Sequence, residues 1–177
     1  LYALASENIN FSHSTGIGGY PRVTHATWTS AAMVSHTAGV PLTIDIAKID
    51  LANFTGYLPG AVTLQDILHD EGYYQTLMVG SDASFGGRRE YYEQHGADHV
   101  YDLYTAREDG LIPSDYMVWW GFEDNYLFRY AQQELPKIAA KDEPFAFYML
   151  TVDTHHEDGY LCPDCPNTFP NKYENVY

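Results

Sequence analysis

Three short stretches of the sequence combine reactive side chains with backbone able to hold an anion. The first is His25-Ala-Thr-Trp-Thr-Ser-Ala-Ala, where Thr29 stands at or near the start of a helical pattern. A helix start leaves several backbone N–H groups without partners, and these favour a phosphate beside the threonine hydroxyl. That hydroxyl is a weak nucleophile until a metal lowers its pKa or a base removes its proton, so a nucleophilic Thr29 requires a cation nearby. The alternative is an ordinary helix N-cap, where threonine is common. The second stretch, Thr151-Val-Asp-Thr-His-His-Glu-Asp-Gly, follows an apolar run of strand length. Its adjacent histidines, His155 and His156, suit a phosphoryl oxygen or a proton transfer to a leaving group, or else a polar, solvated loop. The third is Ser81-Asp-Ala-Ser-Phe-Gly-Gly-Arg-Arg. Gly86 and Gly87 let the backbone approach a ligand and Arg88 can fork onto a phosphate, although a loop before a charged helix would use the same residues.

The elements that must carry these stretches alternate between helix and strand, the pattern of an α/β domain with a mainly parallel sheet. Residues 1–7 read as a helix end, and a Gly-rich loop runs from Gly16 to Tyr20. A helix spans Trp28 to Ala38 and stops at Gly39, with Pro41 close behind. A second helix spans Thr63 to Glu71, with Thr63 and Asp66 in capping-box spacing and Gly72 as the stop. Tyr73 to Val79 reads as a strand, Arg88 to His95 as a helix ended by Gly96, and His99 to Tyr101 as a short strand. A loop containing Gly110 and Pro113 follows. The longest helical pattern runs from about Glu123 to Ala140, where Pro136 is expected to kink or divide it. Phe145 to Val152 is a nearly continuous apolar run, expected to be a strand buried on both faces. Ligands of open α/β sheets bind beyond the carboxyl ends of the strands, which is where the second and third stretches lie.

With 177 residues, 45% of them hydrophobic, one domain with a real core is expected. A formal net charge of -15, from 9 Lys and Arg against 24 Asp and Glu, excludes nucleic acid as a partner. The same charge repels anionic substrates at long range, so a phosphate site has to be built locally. No stretch approaches the roughly 20 apolar residues that span a bilayer, and no signal segment opens the chain. The expectation is a soluble piece of something longer, with any anchoring segment outside it. Cys162 and Cys165 stand as Cys-Pro-Asp-Cys. A zinc site with His155 and His156 lacks the usual second ligand pair, and a redox pair would open a helix after a strand. A local disulfide of an oxidising compartment suits the proline-rich surroundings better.

Together, Thr27-Trp-Thr-Ser-Ala-Ala-Met with Gly39-Val-Pro-Leu, Phe85-Gly-Gly-Arg, and Leu150-Thr-Val-Asp-Thr-His-His resemble bacterial phosphoglycerol transferases of the alkaline phosphatase and sulfatase-like superfamily. That group includes the lipoteichoic acid synthases and the enzymes that decorate periplasmic glucans, the latter being closer in the first and third of these segments. The resemblance implies an alkaline phosphatase-like three-layer α/β sandwich with a mainly parallel central sheet, incomplete at both ends. Residues 1–177 would be one catalytic-domain fragment lacking the first strand and the C-terminal part. It implies Thr29 as nucleophile and metal ligand, Arg88 as the holder of the phosphoglycerol group, and His155 near the transferred group. The divalent metal would be manganese, with its remaining ligands outside the chain.

The function implied is transfer of a glycerophosphate group from phosphatidylglycerol to a glycan or polyglycerolphosphate acceptor at the extracytoplasmic face of the bacterial membrane. Lipoteichoic acid synthases have a histidine and a tryptophan where this chain has Val79 and Gly86, so its pocket should differ. A phosphodiesterase or other phosphohydrolase of the same superfamily would use the same nucleophile. A sulfatase would need a Cys or Ser nucleophile followed by Pro and Arg, which Thr29-Ser-Ala-Ala-Met lacks. A non-catalytic glycan-binding remnant is the rival of a different class, supported by 16 tyrosines suited to stacking on sugars.

Overall fold

A computed structural model of the chain describes residues 2–7, 24–43, 56–155, 157 and 159–171. The expected loop from Gly16 to Tyr20 and His156 lie outside them. The elements are α1 (Tyr2–Glu7), α2 (Thr29–Ala38), α3 (Leu64–Asp70), β1 (Tyr74–Val79), a 3-10 turn (Phe85–Gly87), α4 (Arg88–Gln94), β2 (His99–Tyr101), α5 (Leu103–Glu108), α6 (Asp124–Ala139) and β3 (Phe145–Leu150). The fold is α/β, with a parallel three-stranded sheet in the order β2-β1-β3.

Central strand β1 sorts the core into two sides because successive side chains leave opposite faces. Leu77 and Val79 pack with Ala31 and Val34 of α2 and Tyr91 and Tyr92 of α4. Met78 packs on the other side with Leu103 and Ala106 of α5 and Leu127, Tyr130 and Ala131 of α6. Helices therefore cover both faces of the sheet. Thr63 caps α3 as expected, its amide donating to Asp66 Oδ2 at 2.7 Å while its own hydroxyl oxygen accepts from the Asp66 amide at 3.2 Å.

Three expectations need correction. Strand β3 pairs with β1 alone among the described strands and is only half-buried, with Phe145 and Met149 each 37% exposed. An apolar run specifies a strand but not its number of neighbours. Helix α6 runs undivided through Pro136, whose missing N–H falls in the last turn, where one lost hydrogen bond leaves the rest of the ladder intact. The segment expected as loop after β2 contains α5, started by Asp102, whose Oδ1 accepts from the amides of Tyr104 and Thr105 at 3.0 and 3.1 Å.

Candidate active site

Helix α2 begins at Thr29, and its N-cap is Trp28, in extended conformation, whose own side chain makes no capping hydrogen bond. Thr29 is thus the first helical residue rather than the cap, and the amides of the first turn keep no partner within the helix. Thr29 and Ser30 line a cavity of about 240 Å³ with Trp28. Its other walls come from beyond the carboxyl ends of two strands. Ser81, Phe85 and Arg88 follow β1, and Val152 and His155 follow β3. Trp120, from the segment between α5 and α6, closes the ring. The structure therefore brings Thr29, Arg88 and His155, singled out separately in the sequence, to one cavity.

Arg88 and Arg89 are adjacent and differently employed. Arg88 is only 7% exposed. Its Nε donates to the Phe85 carbonyl at 2.9 Å, and one terminal nitrogen donates to Ser81 Oγ at 3.3 Å and to the Asp82 carbonyl. Every one of these acceptors is neutral. Burial pushes its pKa down, against the opposing charges of Asp82 and Asp102, but a guanidinium remains protonated. Arg89 instead forms ion pairs with Asp102 at 2.8 Å and Glu93 at 3.0 Å. The turn that leads into both depends on Gly87, which has φ +72° and no room for a side chain, since a Cβ would meet Tyr57 Cε2 at 2.2 Å.

Asp102, fully buried, braces this loop from behind. Besides capping α5, it accepts from the Ala83 amide at 3.1 Å and from Arg89 at 2.8 Å. Burial alone would raise its pKa, but the Thr105 and Ala83 amides and Arg89 hold it below the ordinary carboxylate value. Asp66, hydrogen-bonded to Thr63 and His95, is lowered too despite the opposing effect of burial. Such groups stabilise the fold above their unfolded pKa of about 4, and that contribution is lost as pH falls through the lower folded value. We expect Asp102→Ala to lose about 3 kcal/mol at pH 7, measured by urea unfolding, and to flatten the loss of stability below about pH 4. An unchanged urea midpoint would contradict this role.

The loop bearing His155 is tied to α6 by a reciprocal pair of carboxylates. Asp124 accepts from the amides of Val152 and Asp153 at 2.8 and 3.1 Å, and Asp153 accepts from the Asp124 amide at 3.0 Å. Burial is the main cause that lifts Asp153 to about 6, with the charges of Asp124 and Glu123 adding to it. Asp124 is raised as well, by burial. The sign here is opposite to that of Asp102: the contribution is present below about pH 4 and lost as pH rises through about 6. Asp153→Asn keeps the acceptor and removes the charge. After allowance for solvent screening, it should be about 1 kcal/mol more stable than wild type at pH 8 and nearly equal to it at pH 4, by urea unfolding at both pH values.

Cys162 and Cys165 are joined as a disulfide, with a Cα–Cα distance of 5.2 Å. They lie outside the cavity lining. Among the described residues no three His, Cys, Asp or Glu side chains gather in a way that could hold a metal ion. At the cavity, Thr29 Oγ1 is the one expected metal ligand present, so these residues alone do not make a metal centre. Sequence reasoning missed Trp120, Ser30 and the bracing role of Asp102. Trp120 falls in a segment without helical or strand periodicity, and the signal it did carry, two adjacent tryptophans before a glycine, does not reveal what they face.

The sulfatase family model matches residues 14–177. The chain is 33% identical to phosphoglycerol transferase I of Xanthomonas campestris pv. campestris over 176 residues, which are 99% of this chain and 24% of that protein. It is 30% identical to phosphoglycerol transferase I of Citrobacter koseri over 168 residues, 93% of this chain and 21% of that protein. The chain thus spans about a quarter of the length of these relatives. A solved protein of the alkaline phosphatase superfamily from Vibrio parahaemolyticus superposes with a TM-score of 0.58 at 19% identity, over 81% of this chain and 35% of its own. The lipoteichoic acid synthase of Listeria monocytogenes does so with a TM-score of 0.50 at 20% identity, over 66% of this chain and 28% of its own. The order of the three segments, the parallel sheet and the match along most of the chain agree, and the chain belongs to the sulfatase family.

Proposed function

We propose that this chain supplies the nucleophile and the phosphate-holding groups of a phosphoglycerol transferase that takes its glycerophosphate group from phosphatidylglycerol. The observation that carries the reading is the buried Arg88 guanidinium, hydrogen-bonded among the described residues only to neutral oxygens, in the wall of the cavity that also receives the start of α2. A buried cation without an ion-pair partner among the described residues is costly unless an anion joins it, and the amides of a helix start favour the same ligand. The names of the relatives support phosphoglycerol as that anion and transfer over hydrolysis.

In this reading Arg88 and the first-turn amides of α2 hold the non-bridging oxygens of the phosphodiester and stabilise the charge that grows on them. Thr29 Oγ1 attacks phosphorus, the Oγ1–P bond forms, and the bond from phosphorus to the diacylglycerol oxygen breaks. His155 hands a proton to the departing oxygen and is restored by the proton from Thr29. An acceptor hydroxyl, of a glycan or a polyglycerolphosphate, then attacks phosphorus, the Oγ1–P bond breaks, and the acceptor's proton passes to Thr29 Oγ1. The manganese implied by the family resemblance would need ligands other than the described residues, which do not form a site for it.

No helix among the described residues is long and apolar enough to cross a membrane. The Cys162–Cys165 disulfide supports placement at the extracytoplasmic face of the membrane, where such pairs persist. The test is mass spectrometry of the intact protein after brief exposure to phosphatidylglycerol. One glycerophosphoryl group on the peptide containing Thr29 is expected, together with free diacylglycerol. Diacylglycerol without any such adduct would overturn the threonine route.

A further inference from the structure

The cavity wall contributed by Trp120 is held in place at a cost. Val118 and Gly121 close a two-residue turn, Val118 N donating to Gly121 O at 2.7 Å and Gly121 N to Val118 O at 2.9 Å. Trp119, the first residue inside that turn, has φ +53°. Glycine or asparagine ordinarily fills such a position, and a bulky side chain there is strained. Strain of this kind persists only where the surroundings over-determine the backbone, and it concentrates at functional sites. The surroundings here are close. Gly121 forms a bridge with Ser81 just beyond β1, and a Cβ on it would fall 1.9 Å from the Gly80 carbonyl oxygen. Phe122 N donates to that same oxygen at 2.9 Å. The turn is thereby clamped to the segment that carries Ser81, the hydroxyl to which Arg88 donates.

What the clamp presents is an indole between two loops. Trp120 lies 5.6 Å from the Phe85 ring on one side and 5.0 Å from the His155 ring on the other, centroid to centroid. Arg88 in turn sits over the Phe85 ring, 5.8 Å from its centroid. A continuous line of contacts runs from guanidinium through Phe85 and Trp120 to imidazole. The two ends of the line are unequal. Arg88 is buried and fixed by its own hydrogen bonds, whereas His155 is exposed. Removal of the indole therefore takes away the ring packed against His155 and leaves the hydrogen bonds of Arg88 in place.

We infer that Trp120 is a positioning residue, a wedge that sets the orientation of His155 relative to the phosphate held by Arg88. The inference rests on the phosphoglycerol-transfer reading. It goes beyond that reading by assigning the proton-transfer geometry to a residue that carries no acid–base group of its own. A mispositioned acid–base group slows the chemical step without weakening the binding of the ground state, so the loss belongs in kcat rather than KM.

The experiment uses the intact protein with phosphatidylglycerol in mixed micelles, diacylglycerol release as the rate, and the imidazole proton resonances of selectively labelled histidine as a reading of ring position. Trp120→Leu should lower kcat about tenfold or more, leave KM within about twofold, and remove the ring-current displacement of the His155 resonances. Trp120→Phe should recover most of both, because a smaller aromatic ring still abuts His155. Trp119→Gly, which keeps the left-handed backbone and leaves Trp120 in place, should retain the wild-type rate. The wedge is overturned if Trp120→Leu turns over normally, if it slows with the His155 resonances unmoved, or if Trp119→Gly is equally slow. A wild-type protein that forms no adduct on Thr29 overturns the transfer reading beneath it. One that forms the adduct, and whose Trp120→Leu variant forms it just as fast, overturns the wedge alone.

Discussion

Replacing Thr29 with alanine should abolish diacylglycerol release from phosphatidylglycerol and leave the thermal unfolding midpoint nearly unchanged. The separation of the two effects follows from the position of the residue. Thr29 is the first residue of α2, and the cap is Trp28, which makes no side-chain capping bond. The hydroxyl therefore has no cap to contribute, and alanine is the best helix former at that position. Ser30, Ala31 and Val34 supply the buried face of the helix, so a half-exposed threonine methyl is a minor part of the packing. Against this small structural cost stands loss of the attacking oxygen itself. Removal of a nucleophile eliminates the covalent route, and a fall of at least about three orders of magnitude is expected. Thr29→Ser should keep part of the rate, since the oxygen remains but its rotamer is less restrained. Near-normal turnover by the alanine variant would remove Thr29 from the mechanism and direct attention to the other hydroxyls of the cavity, Ser30 and Ser81.

The parts of this arrangement that could be read from the sequence are those whose signals are local. The capping box at Thr63 and Asp66, the strand from His99 to Tyr101 and the start of α2 each depend on residues within a few positions of one another, and the structure has all three. The three chemically loaded stretches were also visible, because each follows a strand or opens a helix. What the sequence could not show was set by long-range packing. Asp102 looks like any acidic residue between a short strand and a loop. Its importance comes from Ala83 and Arg89, 19 and 13 positions away. Phe145 to Leu150 has the composition of an interior strand, and only the pairing pattern reveals that it has one described neighbour. Trp120 owes its place to a turn that no periodicity announces and to a close approach between Gly121 and Gly80. Nor does Arg-Arg at 88 and 89 say which guanidinium faces the cavity, although resemblance to the transferases pointed to Arg88. Burial and the carboxylate partners of Arg89 separate them.

That separation leads to the second large effect, at Arg88. Arg88→Lys should lower kcat/KM for phosphatidylglycerol by about a hundredfold to a thousandfold, the cost of losing an organised donor to a developing phosphoryl charge. Charge is preserved in this variant, so its failure has to come from geometry. A guanidinium reaches the Phe85 and Asp82 carbonyls and Ser81 Oγ at once and still presents N–H groups to the cavity. A lysine ammonium has three donors at a single point and no plane, so it satisfies the loop or the substrate but not both. Arg89→Met provides the contrast one residue away. Its loss leaves Asp102 buried without its charged partner, so the expected penalty is in stability, with activity per folded molecule largely kept. Steady-state kinetics and urea unfolding on both variants give a crossed result if the two arginines are correctly assigned, with kinetic loss at 88 and thermodynamic loss at 89. Equal kinetic losses would mean that the loop as a whole, rather than the Arg88 guanidinium, holds the phosphate. An Arg88→Lys enzyme with normal kcat/KM would show that the cavity takes its anion by charge alone, and the observation on which the proposed function rests would no longer support it.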